Sequence, residues 1–468
     1  MGSTRDPQLR IYFRQFVKEA VSHLRHLGEL PRPPSAPLEI VGYYWLERQL
    51  GDLASYKALD NYLVISGIEQ KLGSTGHRWA WHREVLPWLF IEQYLLSSRA
   101  ERYDPVVFAT IYRHAESEIF CQTLTLRRIT MIHGIPLPAN KIQLESGVTL
   151  VRYTQQQSGQ TLREMLWQRF QPRPLEFWIP GTGALLINDV KAQKEDDGTP
   201  ILRRRDAARL DDTLPLLAMR LCCDSFIYAG PAFEVQLSKF PLWPPRRWDP
   251  EDSGLGYVES KRDLTPAEAR RLRLSRTALK RLRDSPSASR NRATALLQAL
   301  MRFGQSFRLS DEGSNIVDLM VALEALYLPE PGAELRYRMA TNVANLFGRR
   351  DEQRLSIYRQ VLLAYDIRNT LVHGRTDLRR DLTKLVGKFL SEAGIPQAQG
   401  RLERDLPKVG ATLRRIVRDS IQAYFSVTGA FEPTRELDPW PDTRGFDEIG
   451  FNARARRKLQ KLARVSRR

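Results

Sequence analysis

A short polar segment in the last third of the chain combines residue types that can act on a phosphodiester. It reads YDIRNTLVHGR, from Tyr365 to Arg375, and contains Arg368, Asn369 and His373. A guanidinium can bind two phosphate oxygens at once, and an imidazole exchanges a proton near neutral pH. The segment can therefore be an RNA-cleaving site, or it can be the polar end of a helix that packs in a core.

The helix predicted to carry these residues determines their relative directions. Gly374 is a residue type that commonly follows a helix end, so His373 is predicted to lie in the last turn. At about 100° per residue, Asn369 and His373 are roughly 40° apart, whereas Arg368 and His373 are roughly 140° apart. Two copies of the helix about a two-fold axis can place Arg368 of one beside His373 of the other. The apolar stripe of this helix consists of Leu355, Tyr358, Val361, Leu362, Tyr365 and Val372.

The spacing of arginine and histidine is a weak signal by itself in an arginine-rich chain. Arg128 and His133 have the same spacing but fall in a predicted strand and turn, which favours a structural role. Glu176, followed by Asp189 and Lys191, has the residue types of a metal-dependent nuclease site, but acids and lysines at such spacing are common. The segment around Arg368 differs because its histidine ends a helix beside an arginine, an asparagine and a glycine.

Aromatic and basic residues alternate in HRWAWHR, residues 77–83. Such a pattern can form a surface that binds single-stranded nucleic acid. Aromatic residues at helical spacing are more often part of a core with a polar flank, and that interpretation is favoured here.

The elements that position the candidate residues are predicted to be helices. After the proline-rich passage at 239–256 the pattern is helical almost throughout, and Asp311 or Ser314 can cap the second of the helices that follow. The predicted helices of this part are 291–309, 315–328, 334–348, 351–374, 377–394 and 407–427.

The first half of the chain has a mixed pattern. Residues 42–72 and 84–120 have helical spacing, whereas QTLTLRRI, VTLVRYT, LEFWI and ALLINDV are typical of short strands. Eight of the nine tryptophans precede residue 249, which indicates two separately built cores. The sequence therefore predicts an α+β protein with a mixed α/β N-terminal region that senses or binds a ligand. The predicted segments are that region (1–245), a basic linker and helix (246–289), an all-α helical bundle (290–430) and a basic C-terminal tail (431–468).

Composition excludes several protein classes. No run approaches the roughly 18 apolar residues that a membrane helix needs, and the N-terminus lacks the apolar core of a secretory signal. The three cysteines form no CxxC pair, so we expect a cytoplasmic protein without disulfides or structural zinc. Walker, dinucleotide-binding, HExxH and GxSxG motifs are absent. We expect no cofactor and no membrane partner.

The charge balance favours a polyanionic partner. Lysine and arginine number 72 against 54 acids, a net charge of +18, and the last 18 residues carry eight cations and no acid. The alternative is a solvated surface that aids solubility. The tail cations predicted to bind nucleic acid are Arg454, Arg456, Arg457, Lys458 and Lys461. A second basic stretch, 261–284, places Arg270, Arg273, Arg276, Lys280 and Arg283 near one helical face.

Three motifs in order give the C-terminal half a recognisable pattern. They are ALEAL at the end of IVDLMVALEALYL, the YR-x-A-x-x-x-A pattern within ELRYRMATNVANLFG, and RN-x-x-x-HG within YDIRNTLVHG. Together they resemble the HEPN superfamily, and within it the Apea-like branch, over about residues 290–428. The first 240 residues resemble the variable N-terminal regions that accompany this branch.

The resemblance implies an HEPN helical bundle that dimerises and acts as a metal-independent endoribonuclease. It implies that Arg368 holds the scissile phosphate and that His373 is the general acid or base for attack of the ribose 2′-hydroxyl, which leaves a 2′,3′-cyclic phosphate. Asn369 would orient the histidine or the phosphate, and Asp318 and Glu324 would hold Arg368 in place. RNA and a second copy of the chain are the implied partners, in a prokaryotic defence or stress effector. The alternative is a noncatalytic adaptor that binds nucleic acid and uses the bundle to dimerise.

Overall fold

The fold was established with a computed structural model. It describes residues 5–27, 46–68, 82–98, 102–133, 137, 141–145, 147–153, 183–194, 200–201, 205–222, 227–238, 240, 246–248, 265–284, 290–307, 311–328, 334–373, 378–398, 401–432, 438 and 440–465. Within these ranges the protein is mostly helical, and seven strands form one antiparallel sheet. The predicted α+β class is confirmed.

Helices dominate the first part of the chain. Asp6 and Asp104 cap two of them, because each carboxylate accepts hydrogen bonds from amides of the first turn. The helical patterns at 42–72 and 84–120 are both interrupted, the first by a turn at Gly51 and the second by the Asp104–Pro105 start signal. The N-terminal helices are α1 (Pro7–His26), α2 (Ala54–Ile65), α3 (His82–Ser97) and α4 (Pro105–Ile119).

The strands are β1 (Thr123–His133), β2 (Lys141–Glu145), β3 (Val148–Tyr153), β4 (Gly183–Lys194), β5 (Pro200–Ile201), β6 (Tyr228–Gln236) and β7 (Arg246–Trp248). They form a sheet with the strand order β2-β3-β4-β1-β6-β7, and β5 pairs with β4. Three predicted strands are confirmed as β1, β3 and β4, whereas LEFWI, residues 175–179, lies outside the described residues. Strand β6 was not predicted because its Gly230–Pro231 pair is typical of a turn.

The C-terminal half is helical, as the sequence pattern predicts. Asp311 is the cap of the helix Glu312–Tyr327, where its side chain accepts hydrogen bonds from the Gly313 and Ser314 amides. Helix α12 begins at Leu402, five residues before its predicted start, and contains Pro407. Acids in its first turn favour the earlier start. The helices are α5 (Arg205–Cys222), α6 (Pro266–Asp284), α7 (Arg290–Gln305), α8 (Glu312–Tyr327), α9 (Leu335–Phe347), α10 (Asp351–His373), α11 (Leu378–Glu392) and α12 (Leu402–Val427).

Two hydrophobic cores fill the described fold. One joins α1 to α4 with Leu124 and Leu126 of β1 and with Phe240. The other contains the helices from α5 onward and continues into β2, β3 and β4. The core of the C-terminal helices therefore includes elements that precede residue 245.

A cluster of cations around one aromatic ring joins α5, α7 and α12. Arg220 is fully buried, and its Nη1 donates to the carbonyl of Gly304 (2.8 Å). Arg414 donates from Nε to the carbonyl of Ser306 (2.9 Å). Both guanidinium groups lie over the Phe307 ring, at 4.5 and 5.5 Å from its centroid. We call Arg220, Phe307 and Arg414 the Phe307 cluster.

The segment predicted as a basic tail contains two helices, α13 (Thr443–Phe451) and α14 (Ala453–Val465). Helix α14 packs against α9 and α12 because Leu459 and Ala463 share one buried face. On the same face, Gln460 donates to the carbonyls of Asn345 and Gly348, both at 3.0 Å. No described helix is long and apolar enough to cross a membrane.

Candidate functional site

Helix α10 carries the candidate residues in its last two turns. Asp351 and Glu352 lie in its first turn and His373 in its last, an order of charges that matches the helix dipole. His373 is exposed at the helix end, whereas Arg368 and Asn369 are half-buried. Solvent therefore reaches the imidazole directly and reaches the other two side chains in part.

The Arg368 side chain is oriented by its own helix. Its Nη1 donates to Oδ1 of Asn369 (3.0 Å), and its guanidinium lies over the Tyr365 ring, 5.8 Å from the centroid. Its Nε is buried and has no hydrogen-bond partner among the residues that the structure describes. A buried, unpaired donor is costly in a protein that uses it only for packing. Asn369 therefore positions the arginine, which retains donor capacity.

The two predicted acidic partners of Arg368 behave differently. Glu324 is half-buried; burial raises the pKa of its carboxyl, and the positive charge of Arg368 offsets part of that rise. Asp318 pairs instead with Arg302, whose Nη1 lies 2.8 Å from its Oδ1. The six-residue separation turns Asp318 about 120° away from Glu324 around α8. The expectation that both acids hold Arg368 is therefore corrected for Asp318.

Removing the Arg368 charge is expected to raise the pKa of Glu324 further. The guanidinium is the cation that opposes the effect of burial on this carboxyl, so Arg368→Ala leaves burial unopposed. The measurement is a pH titration of the Glu324 carboxyl by carbon NMR in the wild type and in the variant.

Arg302→Ala is the matched control for this titration. It removes a guanidinium that binds another acid on the same helix, so the pKa of Glu324 should stay at its wild-type value. Equal Glu324 titration curves in the wild type and Arg368→Ala would show that the two side chains do not interact.

A second ion pair supports the same turns of α10, and the sequence interpretation missed it. Asp366 lies 2.6 Å from Nη2 of Arg336 on α9, and Thr370 donates to the Asp366 carbonyl (2.9 Å). Burial raises the pKa of the Asp366 carboxyl above its usual value, and the positive charge of Arg336 offsets part of that rise. Both residues lie inside the quoted motifs, but nothing in the sequence shows which arginine of ELRYR reaches α10.

Within one copy of the chain, Arg368 and His373 point in different directions. They lie on one continuous helix, roughly 140° apart around its axis and about 7.5 Å apart along it. Within one copy the two side chains therefore leave different sides of the helix.

Arg128 and Asp189, which belong to the two competing candidate sites, each form an ion pair within the sheet. Arg128 is buried, and its Nε lies 2.9 Å from Oε2 of Glu234 on β6. His133 ends the same strand, where burial lowers the pKa of its imidazole. An odd spacing of five places these two side chains on opposite faces of a strand. Arg128 and His133 are therefore not directed at a common site, and Arg128 has a structural role in the sheet.

Of the residues of the candidate metal-nuclease site, Asp189 and Lys191 lie in the described sheet, on β4. Asp189 on β4 binds Nε and Nη2 of Arg127 across the strands, at 2.7 and 2.8 Å. Glu176 and residues 77–81 lie outside the described residues. Among the described side chains, no group of three His, Cys, Asp or Glu residues could hold a metal ion.

Comparison with known proteins gives a negative result. No family model, no curated protein and no solved structure matches this chain. The resemblance to HEPN proteins therefore rests on the three sequence motifs alone.

The predicted nucleic-acid-binding cations of the C-terminal segment lie on a helix instead of an extended tail. Arg454, Arg457, Lys458 and Lys461 are exposed on α14. Arg456 is half-buried and donates from Nη1 to the Gly450 carbonyl (2.9 Å). Four of the five predicted cations are therefore available to a partner, and the fifth also has a structural role.

The predicted basic face of α6 is only partly exposed. Arg270, Arg273 and Lys280 are exposed, but Arg276 is buried, because α6 packs between α5 and α12. The side chain of Arg283 lies outside the described residues. This helix therefore presents a smaller cationic surface than its sequence indicates.

Proposed function

We propose that the protein is a metal-independent endoribonuclease of the HEPN type that acts as a homodimer in the cytoplasm. One observation carries the proposal: the last two turns of α10 combine an exposed imidazole at the helix end with a guanidinium that Asn369 orients. The family resemblance adds RNA as the substrate and a prokaryotic defence or stress effector as the biological role.

In the proposed reaction, His373 takes up or delivers the proton as the ribose 2′-hydroxyl attacks phosphorus. The new bond joins O2′ to phosphorus, the bond to the 5′-oxygen breaks, and that oxygen takes up a proton. The products are a 2′,3′-cyclic phosphate and a 5′-hydroxyl. Arg368 binds the phosphate oxygens, whose negative charge increases in the transition state. Asn369 holds the guanidinium in place.

The surface of α10 supports the dimer in this proposal. Leu355 and Val372 are 48% and 50% exposed, and only Val361 of the apolar stripe predicted from the sequence is fully buried. Partly exposed residues recur every three or four positions, as in the seam between paired helices. We call this set the α10 stripe. The α10 stripe consists of Leu355, Tyr358, Leu362, Tyr365, Asn369 and Val372.

A charge on the α10 stripe is expected to prevent dimerisation. Leu355 is half exposed in the monomer, so Leu355→Glu should fold normally. In a two-fold interface the same change buries two unpaired carboxylates, which should weaken dimerisation by about 100-fold or more. Sedimentation measures the oligomeric state, and cleavage should be lost together with the dimer.

Met301→Glu is the matched control for the α10 stripe. Met301 is 52% exposed on α7, and the charge introduced there lies outside the proposed interface. Its dimerisation and cleavage should equal those of the wild type. A Leu355→Glu protein that still dimerises would assign the interface to another surface.

A noncatalytic adaptor is the alternative, and one observation favours it. The hydrogen bond from Nη1 of Arg368 to Oδ1 of Asn369 also suits an arginine that stabilises the helix end. In that case the α10 stripe still pairs two chains, but no RNA is cut.

The deciding experiment is incubation of the full chain with mixed RNA in EDTA. The proposed nuclease cleaves under these conditions and leaves cyclic phosphate ends, which an end-specific phosphatase assay detects. A protein that dimerises and binds RNA but leaves it intact, both alone and with a cell extract as a source of activators, would establish the adaptor instead.

A further inference from the structure

Phe451 is the most exposed large apolar side chain among the residues that the structure describes, at 96%. It ends α13, and Asn452 caps α14 by accepting hydrogen bonds from the Arg454 and Ala455 amides. An apolar residue just before a cap commonly packs on the fourth helical residue. Here that residue is Arg456, which binds the Gly450 carbonyl instead. The ring therefore extends into solvent without a packing role.

Four cations follow the ring along one face of α14. Arg454, Arg457, Lys458 and Lys461 are spaced i, i+3, i+4 and i+7, and all four are exposed. None of them makes an ion pair with a described residue, and Arg457 donates from Nε to the carbonyl of Ala453 (3.2 Å). We call these four residues the α14 basic face. The combination of an aromatic ring and unpaired cations is complementary to a base and its neighbouring phosphates.

The other side of α14 is fixed to the protein. Leu459 and Ala463 are buried, and Gln460 binds the carbonyls of Asn345 and Gly348. A helix that inserts into a membrane surface needs its apolar face free, and α14 has none to offer. The fixed backbone also holds the cations and the ring in one arrangement. These two points favour a polynucleotide over a lipid surface.

Charges of both signs surround α14. Arg349 and Arg350 are exposed where α9 joins α10, next to the acids Asp351 and Glu352, and Asp351 pairs with Arg354. Asp447 and Glu448 are exposed on α13. Helix α14 itself contains no acid, so a phosphate chain is attracted along the α14 basic face.

We propose that Phe451 and the α14 basic face bind a single-stranded polynucleotide, with one base stacked on the Phe451 ring and phosphates held by the four cations. In taking RNA as one such ligand, the inference rests on the proposed function. The surface is nevertheless separate from the cleavage residues, because Arg354, the α10 neighbour of Arg456, and His373 lie about 28 Å apart along α10.

Fluorescence anisotropy with labelled single-stranded RNA and DNA tests the ring. All variants carry His373→Ala, so that cleavage does not affect the binding curve. Phe451→Ala should raise the dissociation constant about 5- to 160-fold, the effect that corresponds to the loss of one base stack. Phe451→Trp keeps an aromatic ring, so its dissociation constant should equal that of the protein with Phe451. Ile65→Ala, which removes an exposed apolar side chain from α2, is the control and should leave the dissociation constant unchanged.

A salt titration tests the cations. Lys458→Ala with Lys461→Ala should reduce the slope of log affinity against log salt by about 1.4, because each phosphate contact contributes about 0.7 for a single strand. The matched control is Lys384→Ala with Lys388→Ala, which removes two exposed cations from α11.

Three results overturn the proposal: equal binding by Phe451→Ala and Ile65→Ala, an equal salt slope in the two lysine double variants, or Phe451-dependent binding to anionic vesicles without binding to polynucleotides. Binding to both RNA and DNA supports a site that contacts only the base and the phosphates. Binding to RNA but not to DNA supports a site that also contacts the 2′-hydroxyl. Loss of this surface with unchanged cleavage products leaves the proposed chemistry intact, so the two proposals fail separately.

Discussion

His373→Ala is expected to lower the rate of RNA cleavage about 10²- to 10⁴-fold, because a positioned general acid or base contributes rate factors of that size. Arg368→Ala should cause a loss of the same order, since it removes the group that binds the transition-state phosphate. Both rates are measured under single-turnover conditions in EDTA, with the full chain and with a labelled RNA that the wild type cuts.

Two controls separate chemistry from folding in this measurement. His26 is also an exposed histidine at the last residue of a helix, α1, so His26→Ala should cleave at the wild-type rate. Arg368→Lys keeps the charge but loses bidentate binding, so its rate should lie between those of the wild type and Arg368→Ala. A His373→Ala protein with the wild-type rate would place the reaction elsewhere in the chain.

Arg220→Ala is expected to lower the free energy of unfolding by about 3–5 kcal/mol. The side chain is fully buried, and its guanidinium binds the carbonyls of Ile227 and Gly304, both at 2.8 Å, while it lies over the Phe307 ring. Alanine leaves those two carbonyls without this charged donor and creates a cavity beside the ring. Urea denaturation followed by circular dichroism measures the loss.

Arg220→Met distinguishes the two causes of this loss. Methionine fills much of the cavity and removes a buried charge, so the methionine protein should be more stable than the alanine protein. Arg273→Ala, an exposed arginine on α6, should change the free energy of unfolding by less than about 0.5 kcal/mol. An Arg220→Ala protein as stable as this control would mean that the Phe307 cluster contributes no net stability.

The sequence predicts the helices of the C-terminal half well because their signals are local. Asp311 caps α8 as its position before an apolar run indicates, and Gly374 follows the end of α10. The Gly230–Pro231 pair hides β6, since its place in the sheet depends on pairing with β1, more than 90 residues earlier in the chain. Long-range pairing of this kind leaves no local pattern.

In the candidate site, too, local features are predicted by the sequence and long-range contacts are not. Spacing alone places Arg368, Asn369 and His373 at the end of one helix, and the structure has them there. The partners of the acids depend on how helices pack, so Asp318 binds Arg302 and Asp366 binds Arg336, neither of which the spacing indicates. The buried position of Arg276 likewise follows from the packing of α6 and not from its own sequence.

The Phe307 cluster also bears on the order in which the protein folds during synthesis. Arg220 leaves the ribosome early, but one of its acceptors, the Gly304 carbonyl, follows 84 residues later. Until then Arg220 lacks this hydrogen-bond acceptor, and the apolar side chains of α5 that pack against α7 remain exposed. Helix α5 can therefore reach its final packing only after α7 has emerged.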